Sequence, residues 1–149
     1  MAKPSSLDTL IELAQENADE AGKQLQLLST ERKNAEDQLK MLLEYRQDYA
    51  ARLQAATESG LSASNYHNFR QFIATLDEAI SQQNRVVAHI DLKIEAGKKH
   101  WYAEKRRLSS FETLQARKKQ QQRVVDNRNE QRANDEISAN IFRRTGNLH

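Results

Sequence analysis

The chain contains no cysteine, one proline and four glycines among its 149 residues. Without cysteine it forms neither a disulfide framework nor a thiolate zinc site, and such a composition is compatible with a reducing cytoplasm. Four widely separated glycines build no phosphate-cradling loop. No apolar run approaches the roughly 18 residues of a membrane span, and the opening MAKPSSLDTLIELAQE lacks the continuous apolar stretch of a signal peptide. We therefore predict a soluble protein that is neither inserted in a membrane nor secreted by the general pathway.

Residues that often serve catalysis or metal binding are present, but not in the necessary patterns. His67, His89 and His100 share no metal-ligand spacing with suitable carboxylates. Acidic residues such as Asp77 and Glu78 fall among solvent-facing helix positions, where charge is common. The sequence therefore predicts no enzyme, no metal site and no cofactor.

Charge is plentiful, at 30% of residues, but unevenly distributed. The net charge is +2, whereas the segment from 97 to 123 alone carries 9 basic and 2 acidic side chains. This segment is either a solvated helix face or a docking surface for an acidic partner. An apolar content of 38% is low for a globular core, and it indicates an elongated helical protein.

A heptad repeat in two blocks is the strongest pattern in the sequence. The a and d positions of the first block run from Leu7 to Ala56, and those of the second from Phe69 to Phe111. Nearly all are apolar, which is typical of a coiled-coil seam. The interruptions are Arg32, Arg46, Gln83, Gly97 and Glu104.

Between the blocks, the stretch TESGLSAS combines a glycine with serines that can cap a new helix. Ser5 and Asp8, beside Pro4, give the first helix a start that resembles a capping box. We predict helix 1 over about residues 6–57, a turn over about 58–63 and helix 2 over about 64–125. The fold class is all-α, a long antiparallel two-helix coiled-coil hairpin over residues 1–125, followed by a polar tail, 126–149, that is either helical or disordered.

Side-chain sizes predict the register of this hairpin. If residue i lies opposite residue 122 minus i, every a position of one helix meets a d position of the other. Large side chains then oppose small ones, as in the pairs Ala21 with Trp101 and Leu25 with Gly97.

The stretch QLKMLLEYRQDY, residues 38 to 49, carries more apolar residues than one seam requires. Tyr45 and Phe72 fall at g positions, at the same height on the two helices. Either they merely flank the seam, or they belong to a surface that binds a partner.

QLKMLLEY followed by Tyr49, and NFRQFIATLDEAI, resemble matching segments of the FliJ family, small cytoplasmic components of the bacterial flagellar type III export apparatus. The similarity also includes LDTL near the start and RLSSFETLQARK near the end, and it fades after about residue 125. It implies a fold similar to the central stalk of rotary ATPases. It also implies a location at the cytoplasmic face of the inner membrane, at the flagellar base.

The resemblance further implies the partners. They are the hexameric ring of the export ATPase FliI, the export gate protein FlhA, the ATPase regulator FliH and the flagellar substrate chaperones. Such proteins also promote assembly of the FliI ring. The gate-binding residues of the family fall on Gln38, Leu42, Tyr45, Tyr49, Phe72, Leu76, Ala79 and Gln83. The family pattern can have histidine at the last position, and glutamine there keeps hydrogen-bonding capacity but does not titrate.

The resemblance also implies that the end of the hairpin carrying both termini enters the ATPase ring. Candidate ring-binding residues are the cations of the basic segment, Lys98, Lys99, Lys105, Arg106, Arg107, Arg117, Lys118, Lys119 and Arg123. Three alternatives remain open: the equivalent stalk of a virulence-type injectisome, a purely structural coiled coil, and a nucleic-acid-binding coiled coil that uses KKHWYAEKRR. Against the last, Trp101 falls on an a position, inside the predicted seam.

Overall fold

A computed structural model describes residues 5 to 146, nearly all of which lie in two helices. Helix α1 spans Ser6–Glu58 and helix α2 spans Ala63–Gly146. The two helices pack against each other, and residues 5 to 146 contain no strand. The predicted all-α helical hairpin is confirmed. Within the same residues, neither helix contains a stretch apolar enough to cross a bilayer.

The start of α1 is fixed by two reciprocal hydrogen bonds. The backbone N–H of Ser5 donates to Asp8 Oδ2 at 3.1 Å, and the backbone N–H of Asp8 donates to Ser5 Oγ at 3.2 Å. This capping box gives partners to N–H groups that the helix itself leaves unbonded. The predicted cap is therefore confirmed, whereas Pro4 lies outside the described residues.

The turn between the helices depends on one glycine and one serine. Gly60 has a φ of 90°, in the left-handed region that side chains disfavour, and its N–H donates to the Thr57 carbonyl at 3.2 Å. Ser62 Oγ accepts a hydrogen bond from the Asn65 N–H at 3.3 Å and caps the start of α2. The glycine stops the first helix and the serine starts the second, as the sequence indicates.

The seam follows the heptad pattern. Every a and d position in the two predicted blocks is buried or half-buried. The most buried side chains are small or aliphatic, and they include Ala14, Ala18, Ala21, Ile90 and Leu108. Alanine at so many seam positions of α1 leaves room for larger residues from α2.

The chain forms two compact units, one of which consists of Ala18–Ala103. In this unit Leu25 Cδ2 lies only 3.0 Å from the position that a Cβ on Gly97 would occupy. The predicted pairing of Leu25 with Gly97, and with it the register, is confirmed. Trp101 packs against Gly22, with its Nε1 3.3 Å from the position of an added Cβ there. The sequence placed this ring opposite Ala21, the residue before Gly22, which is itself 3% exposed.

Two arginines in the seam of this unit are paired with carboxylates. Arg32 donates from Nε to Asp91 Oδ1 on the other helix and from Nη1 to Glu36 Oε1 at 2.6 Å. Arg46 donates from Nε to Asp77 Oδ1. Such half-exposed pairs contribute little net stability, but they satisfy the polar layers and favour one register.

The second unit contains the chain up to Asn17 together with the residues from Glu104 onward. Here Gln115 Nε2 donates to Asp8 Oδ1, which joins α2 to the start of α1. Glu104 interrupts the seam, and its Oε2 is buried without a hydrogen-bond partner among residues 5 to 146. A buried polar atom of this kind costs stability rather than adding it.

Helix α2 continues beyond the seam of this unit. Every described residue after Gln115 is exposed, yet the chain stays helical to Gly146. No glycine or proline occurs between Gly97 and Gly146, and pairs such as Gln122 with Asp126, at 2.9 Å, join successive turns. The tail from residue 126 is thus helical as far as it is described, and residues 147 to 149 lie outside the described part. Its status as a separate domain remains a prediction.

A size swap tests the register. We expect Gly97→Leu to lower the free energy of unfolding by about 1 to 3 kcal/mol, because the new side chain overlaps Leu25. Adding Leu25→Ala should restore part of the loss, although Leu25→Ala alone removes buried apolar surface. Urea unfolding followed by circular dichroism measures both effects. Additive losses in the double variant would contradict the pairing.

A second prediction concerns the capping box. The hydrogen bond from the Ser5 backbone lowers the pKa of Asp8 below its ordinary 3.8. The Ser5 hydroxyl lowers this pKa further, desolvation opposes the shift, and Gln115 and the charge of Lys119 add to it. A carboxylate with a lowered pKa stabilises the fold above its unfolded pKa, and this stabilisation disappears as the pH falls through the folded value. The stability difference between wild type and Asp8→Asn should therefore persist at pH 7 and shrink below about pH 4. A difference independent of pH in urea unfolding would contradict this role.

Candidate functional site

The residues expected to bind the export gate lie in the unit Ala18–Ala103, in two rows on one flank of the seam. We call this surface the g flank, and it consists of Gln38, Leu42, Tyr45 and Tyr49 on α1 with Phe72, Leu76, Ala79 and Gln83 on α2. The structure joins the two rows at both ends. The sequence prediction that the rows lie at the same height is confirmed.

Aromatic rings join the rows at the end of the g flank near the turn. The ring centroids of Tyr49 and Phe72 are 4.3 Å apart, with an angle of 33° between the planes. Phe69 also contacts Tyr49, at 5.8 Å. Together with Asn68 these rings line a surface depression of about 300 Å³. Tyr49 thus connects the seam to the exposed part of the flank.

Amide side chains join the rows at the other end. Gln83 Nε2 donates to the Ala35 carbonyl oxygen at 2.8 Å and to Gln38 Oε1 at 3.3 Å. The carbonyl is part of the α1 backbone, so the bond ties Gln83 directly to the opposite helix. Glutamine at position 83 therefore uses its hydrogen-bonding capacity to join the two helices.

The middle of the g flank contains both buried and exposed residues. Leu76 is 8% exposed and belongs to the core, and Leu42 and Ala79 are half-buried. Tyr45 is 56% exposed and Phe72 is 41% exposed. Tyr45 makes no hydrogen bond or ring contact with any residue from 5 to 146. The surplus apolar residues of the stretch from 38 to 49 therefore remain in solvent rather than in the seam.

The ion pair between Arg46 and Asp77, next to the g flank, was not predicted from the sequence. Arg46 bonds to Asp77, and its second contact, from Nη2 to Asp77 Oδ2, measures 3.5 Å. The hydrogen bond to Asp77 raises the pKa of Arg46 above its ordinary value. The heptad pattern leaves Asp77 among the solvent-facing positions, but an opposite charge beside a seam arginine at matching height is a signal that could have identified the pair.

The candidate ring-binding cations of the basic segment are all exposed. Lys98 and Lys99 belong to the unit Ala18–Ala103, and the other candidate ring-binding cations belong to the unit that contains the start of α1. Lys98 Nζ lies 3.8 Å from Glu95 Oε1. No group of three or more potential metal ligands occurs among residues 5 to 146.

Comparison with known proteins agrees with this architecture. A family model described as Flagellar FliJ protein matches residues 3–147. The chain belongs to the FliJ family. The match reaches well beyond residue 125, where the resemblance was expected to fade, so the exposed end of α2 is part of the shared sequence.

Two relatives, both named Flagellar FliJ protein, support the FliJ assignment. The one from Salmonella typhi is 33% identical over 138 residues, which cover 93% of this chain and 94% of the relative. The one from Escherichia coli strain K12 is 31% identical over 138 residues, with the same coverage. The g flank and the basic segment therefore both lie on a FliJ hairpin.

Proposed function

We propose that the chain is a non-enzymatic component of the bacterial flagellar type III export apparatus, and that its g flank docks on the export gate. The observation that carries the proposal is the exposure of Tyr45 and Phe72 directly beside the buried Leu76, on a hairpin of the FliJ family. Aromatic side chains that remain exposed in the folded protein are typical of protein–protein binding sites.

A second part of the proposal is a stalk-like role at the export ATPase. The chain binds the ring of the ATPase FliI and promotes its assembly, works beside the regulator FliH, and escorts substrate chaperones. Exposed cations from Lys105 to Arg123, in the same unit as the start of α1, support electrostatic attraction to an acidic ring lining. The protein acts at the cytoplasmic face of the inner membrane, as a peripheral component without membrane insertion.

The packing of Trp101 disfavours nucleic acid as the ligand. Its ring is half-buried against Gly22 and contacts the ring of Tyr102, so much of its surface is covered and unavailable to a base. The flagellar names of both relatives favour the flagellar pathway over a virulence-type injectisome.

Binding and folding should separate on the g flank. We expect Tyr45→Ala to weaken binding to the purified cytoplasmic domain of the gate by about 1 to 3 kcal/mol, because an exposed aromatic anchor is lost. Its thermal midpoint should stay near that of wild type, since Tyr45 is 56% exposed and has no hydrogen bond or ring contact to lose among residues 5 to 146. Calorimetry gives the first quantity and circular dichroism the second.

Leu76→Ala is the matched control, because Leu76 is buried next to the same surface. It should lower the free energy of unfolding by about 2 to 4 kcal/mol. The loss of stability in Phe72→Ala should lie between those of Tyr45→Ala and Leu76→Ala, because the Phe72 ring also contacts Tyr49. Unchanged gate binding by Tyr45→Ala would refute the docking role.

Stimulation of the ATPase should depend on the basic segment. We expect stimulation to fall as salt rises, and to be weaker still when Arg106 and Arg107 are both changed to glutamate, because charge reversal repels an acidic ring lining. Changing the exposed Lys33 and Lys40 to glutamate makes the same charge change outside the segment, and this control should stimulate normally. Equal stimulation of the ATPase by both double variants would count against the basic segment as the ring-binding surface.

A further inference from the structure

Three exposed leucines lie on one flank of the unit that contains the start of α1. Leu10 is 43% exposed, and Leu13 and Leu114 are each 50% exposed. Leu10 and Leu114 occupy g positions of the heptad pattern, and Leu13 lies one turn after Leu10 on the same side of α1. We call these three residues the leucine patch.

The register of this unit places both helices of the leucine patch at the same height. Gln115 donates a hydrogen bond to Asp8, so these two residues lie opposite each other. Leu114 precedes Gln115 by one residue and Leu10 follows Asp8 by two, and the helices run in opposite directions. The leucines of α1 and α2 therefore lie within one turn of each other, and the apolar surface extends across both helices.

The charges along the α2 side of the leucine patch are positive. Arg107 lies two turns before Leu114 and Arg117 one turn after it, and both are exposed. Neither arginine forms an ion pair with a residue from 5 to 146. On α1 the nearby acids, Glu12 and Glu16, fall at b and f positions, which point away from the boundary between the helices.

The opposite flank of the same unit differs in charge. Asp8 and Glu112 fall at e positions there, and so do Lys105 and Lys119, so that both signs are present. Lys119 lies close enough to Asp8 to help lower the pKa of that carboxyl. The remaining acid at this height, Glu104, is part of the seam. An apolar and cationic surface therefore occurs on one flank only.

A surface depression of about 380 Å³ adjoins the leucine patch, and it is lined by Ser109, Ser110, Thr113, Leu114 and Arg117. The hydroxyls of Ser110 and Thr113 donate to carbonyl oxygens one turn earlier in α2, each at 2.9 Å. Arg117 is therefore the charged donor that the depression offers to a ligand. One wall is apolar and another is cationic.

We infer that the leucine patch binds an acidic segment of the ATPase ring that carries aliphatic side chains. Those side chains would pack on the leucines, and a neighbouring carboxylate would pair with Arg117. Charge disfavours a second copy of this chain, because it would bring two further arginines to the same surface. The inference rests on the proposed function, since the partner is the FliI ring, and it adds an apolar contribution that salt does not screen.

The test measures binding of the full chain to purified FliI, assembled into its ring with a non-hydrolysable ATP analogue, at low and at high NaCl. The Leu10→Gln, Leu114→Gln double variant should bind about tenfold more weakly at both salt concentrations, because apolar burial is lost. The Arg106→Glu, Arg107→Glu double variant should instead bind weakly at low salt and approach wild type at high salt, where charges are screened.

The matched control makes the same leucine change elsewhere. Leu27 is 64% exposed and Leu92 is 70% exposed, both in the unit Ala18–Ala103, and the Leu27→Gln, Leu92→Gln double variant should bind as wild type does. Circular dichroism checks that each variant is helical. If the Leu10, Leu114 variant loses helix, Leu13→Gln replaces it, because Leu13 lies at a c position further from the seam and its change should still weaken binding.

The possible outcomes distinguish the inference from the proposed function. If the leucine variants bind the ring as wild type does while the arginine variant is weakened at low salt, the leucine patch is refuted and the stalk-like role stands. If wild type does not bind the ring, both proposals fail. If the leucine variants keep ring binding but lose binding to vesicles of phosphatidylcholine and phosphatidylglycerol, the patch binds an anionic membrane and the inference is overturned.

Discussion

Two helices that pack only against each other bury one stripe each, and the rest of both circumferences stays in solvent. The buried residues are accordingly few, and they are alanines and aliphatic residues of the a and d positions. With so narrow a core, size matching determines the register. Leu25 needs the space above Gly97, and Trp101 needs the space above Gly22. A shift of the helices would place large side chains against each other and leave voids beside the small ones.

The same narrow seam explains how one surface can be free for a partner. A side chain outside the a and d positions contributes little to folding, so selection for binding can act on it without loss of stability. Tyr45 illustrates this separation, because it is large, apolar and exposed. Tyr49 and Phe72 lie between the buried seam and the exposed surface, because their rings contact each other across the edge of the seam. The g flank is thus a graded surface, from the buried Leu76 outward to solvent.

Three of the polar residues in the seam bind specific partners on the opposite helix. Arg32 reaches Asp91, Arg46 reaches Asp77, and Gln83 reaches the Ala35 carbonyl. Each bond is partly exposed, so its net energy is small, but each is lost if the helices slide. These layers therefore contribute more to specificity of register than to stability.

The two helices as far as about residue 125, the cap at Ser5, the turn at Gly60 and the identity of the seam residues all follow from the sequence. These features depend on local spacing and on backbone conformation, which neighbouring residues specify. It also placed the two rows of the g flank side by side, because the register follows from side-chain sizes. Only the folded structure shows which carboxylate each seam arginine binds and which rings of the g flank meet. Those contacts depend on side-chain rotamers and on the rotation of each helix about its axis, and a heptad pattern specifies neither.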